Sequence, residues 1–450
     1  MYGVDSIIME YEDMFPYSGN LVNISSVNAY KKSELLRFLS KARLLGMEVI
    51  PLIQTFGHME FVLKLKEFAH LRELDKYPAE ICPSNPASKA LITDMLKQVI
   101  DLHSTVLPLK HIHIGCDEVR KLNKCFKCLY RRLNDGAVFV QHVEKVALIV
   151  KNITPSTTVL IWGDMLHKID LPNIFINNSN IEPVEWDYRK NPNFSHKHFY
   201  NLHKNFKNIW IASAYKGADG KKATTPNIKN RFQNHLSWMK FILDYKFGGE
   251  NKVYHFEGII LTGWSRYSHM APQCELLPVS MPSLILNLLL IKTLQGGIDQ
   301  GDLFHLNYCE FFDKYLSYQF REIFKSSDNI KKTCAFENTF LETELIELFN
   351  SSAVLNDCNS KLRSRKSECQ RKLPYVDIIA LESTHQKCRE ALQKLGAMKK
   401  SLEIFMVKYY KMFAIRSYID EIIQVPAKEM KTTMDYISNC TRDRVWGRRY

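Results

Sequence analysis

His111-Ile-His-Ile-Gly-Cys-Asp-Glu-Val119 is the stretch that decides how this chain is read. It follows Pro108, alternates as a short strand, and closes on a glycine and two adjacent carboxylates, Asp117 and Glu118. Strand periodicity puts His111, His113 and Gly115 on one face and Ile112 and Ile114 on the other. Asp-Glu pairs are common on solvated surfaces. A pair that ends an apolar strand stands where a barrel enzyme keeps its reacting groups. Two neighbouring carboxylates ionise together only at a cost, so one pKa should rise, and a raised carboxyl can serve as a general acid near neutral pH.

The rest of the first 300 residues supports a barrel. Further strands are predicted at 4–12, 47–54, 158–162, 182–187, 208–214 and 258–264, with the central one at 110–115. Helices are predicted between them at 33–45, 61–74, 88–102, 137–151, 228–245 and 282–295. Alternating strands and helices make parallel βαβ units. No glycine-rich phosphate loop follows the first strand, which disfavours a doubly wound sheet. Trp162, Trp186, Tyr215 and Trp264 end successive strands, and a (β/α)₈ TIM barrel would gather them at one mouth. Seven strands are counted, one short of a closed barrel of this type. Beyond Gly301 the strand signals fade, and helices are predicted at 304–324, 340–355, 376–415 and 417–437. Leu392, Leu395, Met398, Leu402 and Phe405 recur at spacings of three and four, an amphipathic packing stripe. The expected division is a barrel at 1–300 and an all-helical region at 301–450 docked on it, a homodimer being the lesser use of that stripe.

Composition narrows the function. The chain has 450 residues, 46% hydrophobic and 24% charged, with a net charge of +13. That surplus is dispersed, since residues 301–450 hold 25 Lys and Arg against 20 Asp and Glu. The densest cluster, Lys361, Arg363, Arg365, Lys366, Arg371 and Lys372, reads as a solvated linker. With no zinc-finger, RNA-recognition or helix-turn-helix signature, no nucleic-acid partner is expected. The 11 cysteines are irregularly spaced, so no disulfide framework is evident, and Cys125-Phe-Lys-Cys128 stands as a single C-x-x-C without a second such pair. No metal and no cofactor are expected. The apolar run 284–291 is too short to span a bilayer, and no basic-then-apolar leader opens the sequence. The expectation is a cytoplasmic or nuclear protein with no membrane partner.

His113-Ile-Gly-Cys-Asp-Glu118 resembles the H-x-G-x-D-E signature of family 20 glycoside hydrolases, the β-N-acetylhexosaminidases. The cysteine before Asp-Glu, with Glu10-Tyr-Glu-Asp-Met-Phe-Pro-Tyr17 and Gln54-Thr-Phe-Gly-His-Met-Glu-Phe61, resembles the hexosaminidase D-like branch, over roughly residues 1–300. Members of that branch begin with a further strand and helix, so an eighth strand is expected upstream of this N-terminus. The resemblance implies exo-acting, retaining hydrolysis of terminal β-linked GalNAc or GlcNAc from glycoconjugates, with GalNAc favoured. It also implies a mechanism in which the sugar's own 2-acetamido oxygen attacks C1, one of the exceptions to the usual two-carboxylate scheme.

Carried over by position, Glu118 is the general acid and Asp117 the carboxylate that accepts the acetamido N–H. Trp162, Trp186 and Trp264 line the acetamido pocket, and Tyr215 steadies the attacking oxygen. His58 is expected to support Glu118, paired with a carboxylate such as Glu12 or Asp13, while Asp164 and Asp187 are expected sugar-hydroxyl contacts. Two positions depart from the lysosomal pattern: Arg266 stands where a glutamate is usual, and Gly217 where an aspartate is. The first-strand arginine of that pattern has no counterpart.

Two other functions compete. His111-x-His113 imitates a metallohydrolase pair, but the later strand ends carry Trp, Tyr, Gly and Arg rather than ligands. An inactive family member, acting as a sugar-binding or scaffold protein, is the alternative that an absent first strand suggests.

Overall fold

The computed structural model describes residues 3–169, 180–221, 223–247, 256–295, 357–364, 366–367 and 378–440. β1 (Ser6–Glu10), β2 (Glu48–Leu52), β5 (His111–His113), β6 (Thr158–Trp162), β7 (Ile181–Trp186), β8 (Ile209–Lys216) and β9 (Phe256–Gly263) form one seven-stranded sheet. All neighbours are parallel and follow one another in that order. All seven predicted strands are present. Helices α1 (Lys32–Leu44), α3 (Pro86–Ser104), α5 (Asp135–Ile153), α6 (His196–Asn205), α7 (Ile228–Phe247) and α8 (Leu277–Gln295) return the chain between strands or follow the last. This is the β/α repeat of a TIM-type barrel.

Alternation along each strand builds two cores. Ile50, Leu52, Leu160, Trp162, Val184, Trp210 and Ala212 pack together inside the curl, with Ile8 of β1 and Ile260 of β9 against them. Their neighbours Ile112, Val159, Ile161, Ile181, Ile209 and Ile211 face outward onto the helices. A flat sheet could not place side chains from both outer strands in one cluster. The curl is also clamped at its rim: His269, in the loop after β9, holds Glu12 at 2.8 Å and Asp13 at 3.4 Å, both just past β1.

Local sequence explains the helix starts. Asn85 caps α3 by accepting from the Ala87 N–H, with Pro86 in the first turn, and Asn134 accepts from the Ala137 N–H at α5. The helix expected at 61–74 is a correction. Only α2 (Glu60–Leu63) and a 3₁₀ stretch (Lys66–Leu71) are helical, and the chain then forms an antiparallel hairpin of β3 (Arg72–Leu74) and β4 (Tyr77–Ile81). The Arg72 guanidinium donates to the Leu63 carbonyl from two nitrogens, at 2.9 and 2.6 Å, so a tertiary clamp overrides the helical pattern. Helix α6 escaped the sequence reading. Ser195 caps it through the His198 N–H.

Helix α8 is apolar enough over Leu277–Leu294 to cross a membrane by length and composition. Here Leu286 and Leu290 are buried in the outer core, and Ser280, Ser283 and Asn287 are buried with them. The helices expected at 304–324 and 340–355 lie outside the described residues. The one expected at 376–415 runs as α9 (Ile378–Met406), breaks, and resumes as α10 (Met412–Ile419), followed by a π turn and α11 (Val425–Cys440). Leu395, Met398 and Leu402 are buried in a separate cluster that takes in Leu276 and Val279 at the start of α8. Tyr410 accepts from the Leu277 N–H and Lys411 pairs with Glu34 of α1, so this region touches the helices after both outer strands.

Candidate active site

The carboxyl ends of the strands converge. β1 delivers Glu10, β2 leads into Gln54 and His58, β5 into Asp117 and Glu118, β6 into Trp162 and Asp164, and β7 into Trp186 and Tyr188. β9 leads into Trp264. Backbone conformation aims the central pair. Gly115 lies at φ +71°, and a Cβ there would collide with the Gln54 side chain. Cys116 and Glu118 also hold positive φ, as does His58 across from them. Such conformations cost about 1–3 kcal/mol each for residues with side chains and persist only where surroundings impose them. Asp164 does so at Glu118, accepting its backbone N–H at 3.0 Å.

One imidazole nitrogen reaches both carboxylates. His58 Nε2 lies 3.4 Å from Asp117 Oδ2 and 3.3 Å from Glu118 Oε2. Gln54 Nε2 donates to Asp117 Oδ1 at 3.1 Å and to Glu10 Oε1 at 3.3 Å, linking a third carboxyl to the pair. Arg120 Nη2 donates to Glu118 Oε1 at 2.9 Å from an exposed position. Burial pushes Asp117 up to about 6 against the opposing His58 charge, with Asp164 adding to the rise. The His58 hydrogen bond pulls Glu118 down to about 2 against partial burial, helped by Arg120. Burial alone would lower His58; the Glu118 bond and the Asp117 charge outweigh it and leave the imidazole at about 9. One carboxyl of the pair is raised, as the sequence reading required. In the free protein it is Asp117, not Glu118, because Asp117 is the more deeply buried.

Glu10 is raised further, to about 8, by burial and by the charges of Glu12 and Asp117. The folded state therefore binds this proton more tightly than the unfolded chain, whose carboxyl titrates near 4.5. The resulting stabilisation is complete below 4.5 and drains as pH rises to 8. Glu10→Gln should thus gain stability between those limits. Allowing for solvent at this half-buried strand end leaves about 1–2 kcal/mol, or roughly 1–2 °C in Tm at pH 8.5 for a chain of this length. Thermal unfolding at pH 4.5 and 8.5 checks this, and equal shifts at both would overturn it.

The three expected tryptophans lie together at the strand ends. Trp162 is buried, its ring 4.4 Å from His113 and 5.7 Å from Trp264. Trp186 donates to Asp164 Oδ1 at 3.4 Å and stacks on Tyr188 at 5.0 Å. The Tyr188 hydroxyl accepts from Trp264 Nε1 at 3.2 Å, placing between two expected residues one that sequence reasoning missed. Its signal was parity, since Tyr188 is two residues beyond the strand-end Trp186. His113 is fully buried beneath Trp162, held neutral by a pKa depressed to about 3, and accepts from the Gly115 N–H.

Other expected residues are engaged within the protein. His58 pairs with Asp117 and Glu118 rather than with Glu12 or Asp13, which belong instead to His269, with Lys64 3.2 Å from Asp13. Asp164 holds Glu118 and Trp186 in place. Asp187 is bound by Arg189 through its side chain and backbone N–H, while its own carbonyl accepts from Asn234 and Trp238. Tyr215 sits at a register shift in β8, and its ring lies where a Cβ on Gly263 would be. Gly217, at φ +77°, passes so close to the Trp264 carbonyl that a Cβ would sit 2.3 Å from its oxygen. An aspartate cannot stand there in this backbone. Arg266 donates to the Ala271 carbonyl at 2.7 Å.

Comparison with known proteins accords with this geometry. Residues 12–268 match the family model described as glycosyl hydrolase family 20, catalytic domain. The chain is 40% identical over 310 residues to hexosaminidase D of Homo sapiens, covering 66% of this chain and 61% of that protein. It is 40% identical over 293 residues to hexosaminidase D of Bos taurus, covering 63% and 82%. It thus spans about three fifths of the human relative's length. The crystal structure of a β-N-acetylhexosaminidase from Bacteroides fragilis is 15% identical, with a TM-score of 0.49 over 75% of this chain and 68% of that one.

Proposed function

Because the chain belongs to glycosyl hydrolase family 20, we propose that it is an exo-acting β-N-acetylhexosaminidase that removes terminal β-linked GalNAc, and GlcNAc, from glycoconjugates with retention of configuration. The observation that carries the reading is the adjacent pair bridged by one imidazole. Asp117 and Glu118 cannot flank a glycosidic bond as the two carboxylates of an ordinary glycosidase do. They suit a reaction in which the substrate supplies the nucleophile.

In that reaction the acetamido oxygen attacks C1 as the bond to the leaving oxygen breaks, and Glu118 gives that oxygen its proton. Asp117 accepts the acetamido N–H and offsets the positive charge of the oxazolinium ion. Glu118, now ionised, takes a proton from the water that opens the ring, which returns the acid to its starting form. The free protein holds its shared proton nearer Asp117. A bound acetamido N–H favours the Asp117 anion, and the sugar removes water from Glu118, so the proton moves to Glu118. His58 Nε2 is within reach of both carboxylates and is the natural relay: as the imidazolium it gives its Nε2 proton to Glu118 and then, neutral, takes the proton held on Asp117. Trp162, Trp186 and Trp264 would form the apolar wall for the acetamido methyl and the sugar face.

Paired chromogenic β-GalNAc and β-GlcNAc substrates test this directly. Hydrolysis of both, GalNAc faster, is the expected result. Sugar binding without turnover would instead favour a non-catalytic family member. None of the seven described cysteines is joined in a disulfide, which fits a reducing compartment, and the reading places the protein in the cytoplasm or nucleus.

A further inference from the structure

The single C-x-x-C is not alone in space. Cys82, just past β4, brings its Sγ to 3.4 Å from Cys125 and 3.8 Å from Cys128. Glu73 of β3 places Oε2 3.3 Å from the Cys128 sulfur, and the four ligand atoms all lie within 4.8 Å of one another. Cys82, Cys128 and Glu73 are almost fully buried. We propose that Cys82, Cys125, Cys128 and Glu73 form a structural zinc site that fastens the loop after the catalytic pair to the β3–β4 hairpin.

Three arguments support zinc. The first is spacing. A disulfide needs sulfurs about 2.05 Å apart, whereas thiolates about 2.3 Å from a tetrahedral zinc stand about 3.8 Å from each other, and a carboxylate oxygen about 3.5 Å from a sulfur. The separations of 3.4, 3.8 and 3.3 Å lie near the second set and far from the first. The second is orientation. Glu73 Oε1 accepts the Lys124 and Cys125 N–H groups at 2.6 and 2.8 Å, which turns Oε2 toward the sulfurs. Ligands steered by such outer bonds are the usual pattern in metal sites. The third is charge. Three thiolates and a carboxylate around Zn²⁺ leave a net charge of −2, and residues 120–132 carry Arg120, Lys121, Lys124, Lys127, Arg131 and Arg132 with no acid. Binding releases three thiol protons and changes no oxidation state. With four protein ligands the site has no open position, so its role is structural.

Its consequence is local. Glu80 of β4 accepts the Arg120 and Lys121 N–H groups, so the hairpin already grips the chain two residues beyond Glu118. A metal at the four ligands would lock the far end of the same loop.

The full chain, purified with reductant and without chelators, should carry about one zinc by mass spectrometry of the metal. Cobalt exchanged into it should show a thiolate-to-metal charge-transfer band. Glu73→Gln should weaken zinc by more than the roughly 10–100-fold that losing an outer bond to a ligand costs, and Cys82→Ala with Cys128→Ala should abolish stoichiometric binding. Zinc retained in that double variant overturns the site. So does a native protein that takes up neither zinc nor cobalt, or whose thiol count shows two of the three cysteines joined as a disulfide. The cobalt spectrum is read on the unaltered chain, so the outcome does not depend on either variant folding.

Discussion

Glu118→Gln is expected to lower hydrolysis of β-GalNAc conjugates with poor leaving groups by on the order of 10²–10⁴-fold, the usual contribution of a positioned acid. Glutamine fills the same space; its oxygen can keep the Arg120 bond, 2.9 Å from the native carboxylate, while its NH2 faces His58, 3.3 Å from that carboxylate, which meets it as the neutral imidazole. The fold should therefore survive, with Tm within a few degrees of the parent. The loss should shrink as the leaving group improves, because an acidic phenol departs without a proton. Comparing nitrophenyl and alkyl glycosides measures that dependence. An equal loss on both would deny Glu118 its role as acid, and full activity on both would deny it any role.

The fold, and the clustering of the candidate residues at the strand ends, were legible in the sequence for a specific reason. Parallel strands buried on both faces read as apolar runs, so all seven were found, and each ended near a residue with chemistry. Asp117, Glu118, Trp162, Trp186, Trp264 and His58 all lie at those ends. Contacts between segments far apart were not legible. Nothing near Asp13 announces His269, 256 residues away, and nothing near Cys125 announces Cys82 or Glu73. The β3–β4 hairpin was hidden for the same reason, since its defining clamp joins Arg72 to the Leu63 carbonyl. Which carboxyl of the pair is raised was also beyond sequence reasoning. Chemistry requires the two to differ, but the order in the free protein depends on how deeply each is buried and on where the Arg120 guanidinium falls.

That order leads to the second large effect. Asp117→Asn keeps the shape of the side chain and removes the charge that would face the oxazolinium ion. Turnover should fall about 10²–10³-fold, the scale seen when one preorganised group opposite a developing charge is lost. Unlike Glu118→Gln, the loss should be nearly the same for good and poor leaving groups, since on the proposed mechanism Asp117 acts on the nucleophile. The pH profile separates the roles further. In the unaltered protein the pair carries one proton between about 2 and 6, the values at which Glu118 and Asp117 are held. Above 6 it carries none, and a proton that His58 passed to Glu118 would have no replacement on Asp117. So kcat/KM should fall tenfold per pH unit beyond a limb near 6, a value that belongs to the pair rather than to either residue. In Asp117→Asn the only remaining proton site of the pair is Glu118, kept low by His58 and Arg120. Its residual activity should lose that limb and decline from a lower pH, by more than one unit. A limb that stays near 6 in the variant would mean that the titrating group is neither carboxylate of the pair.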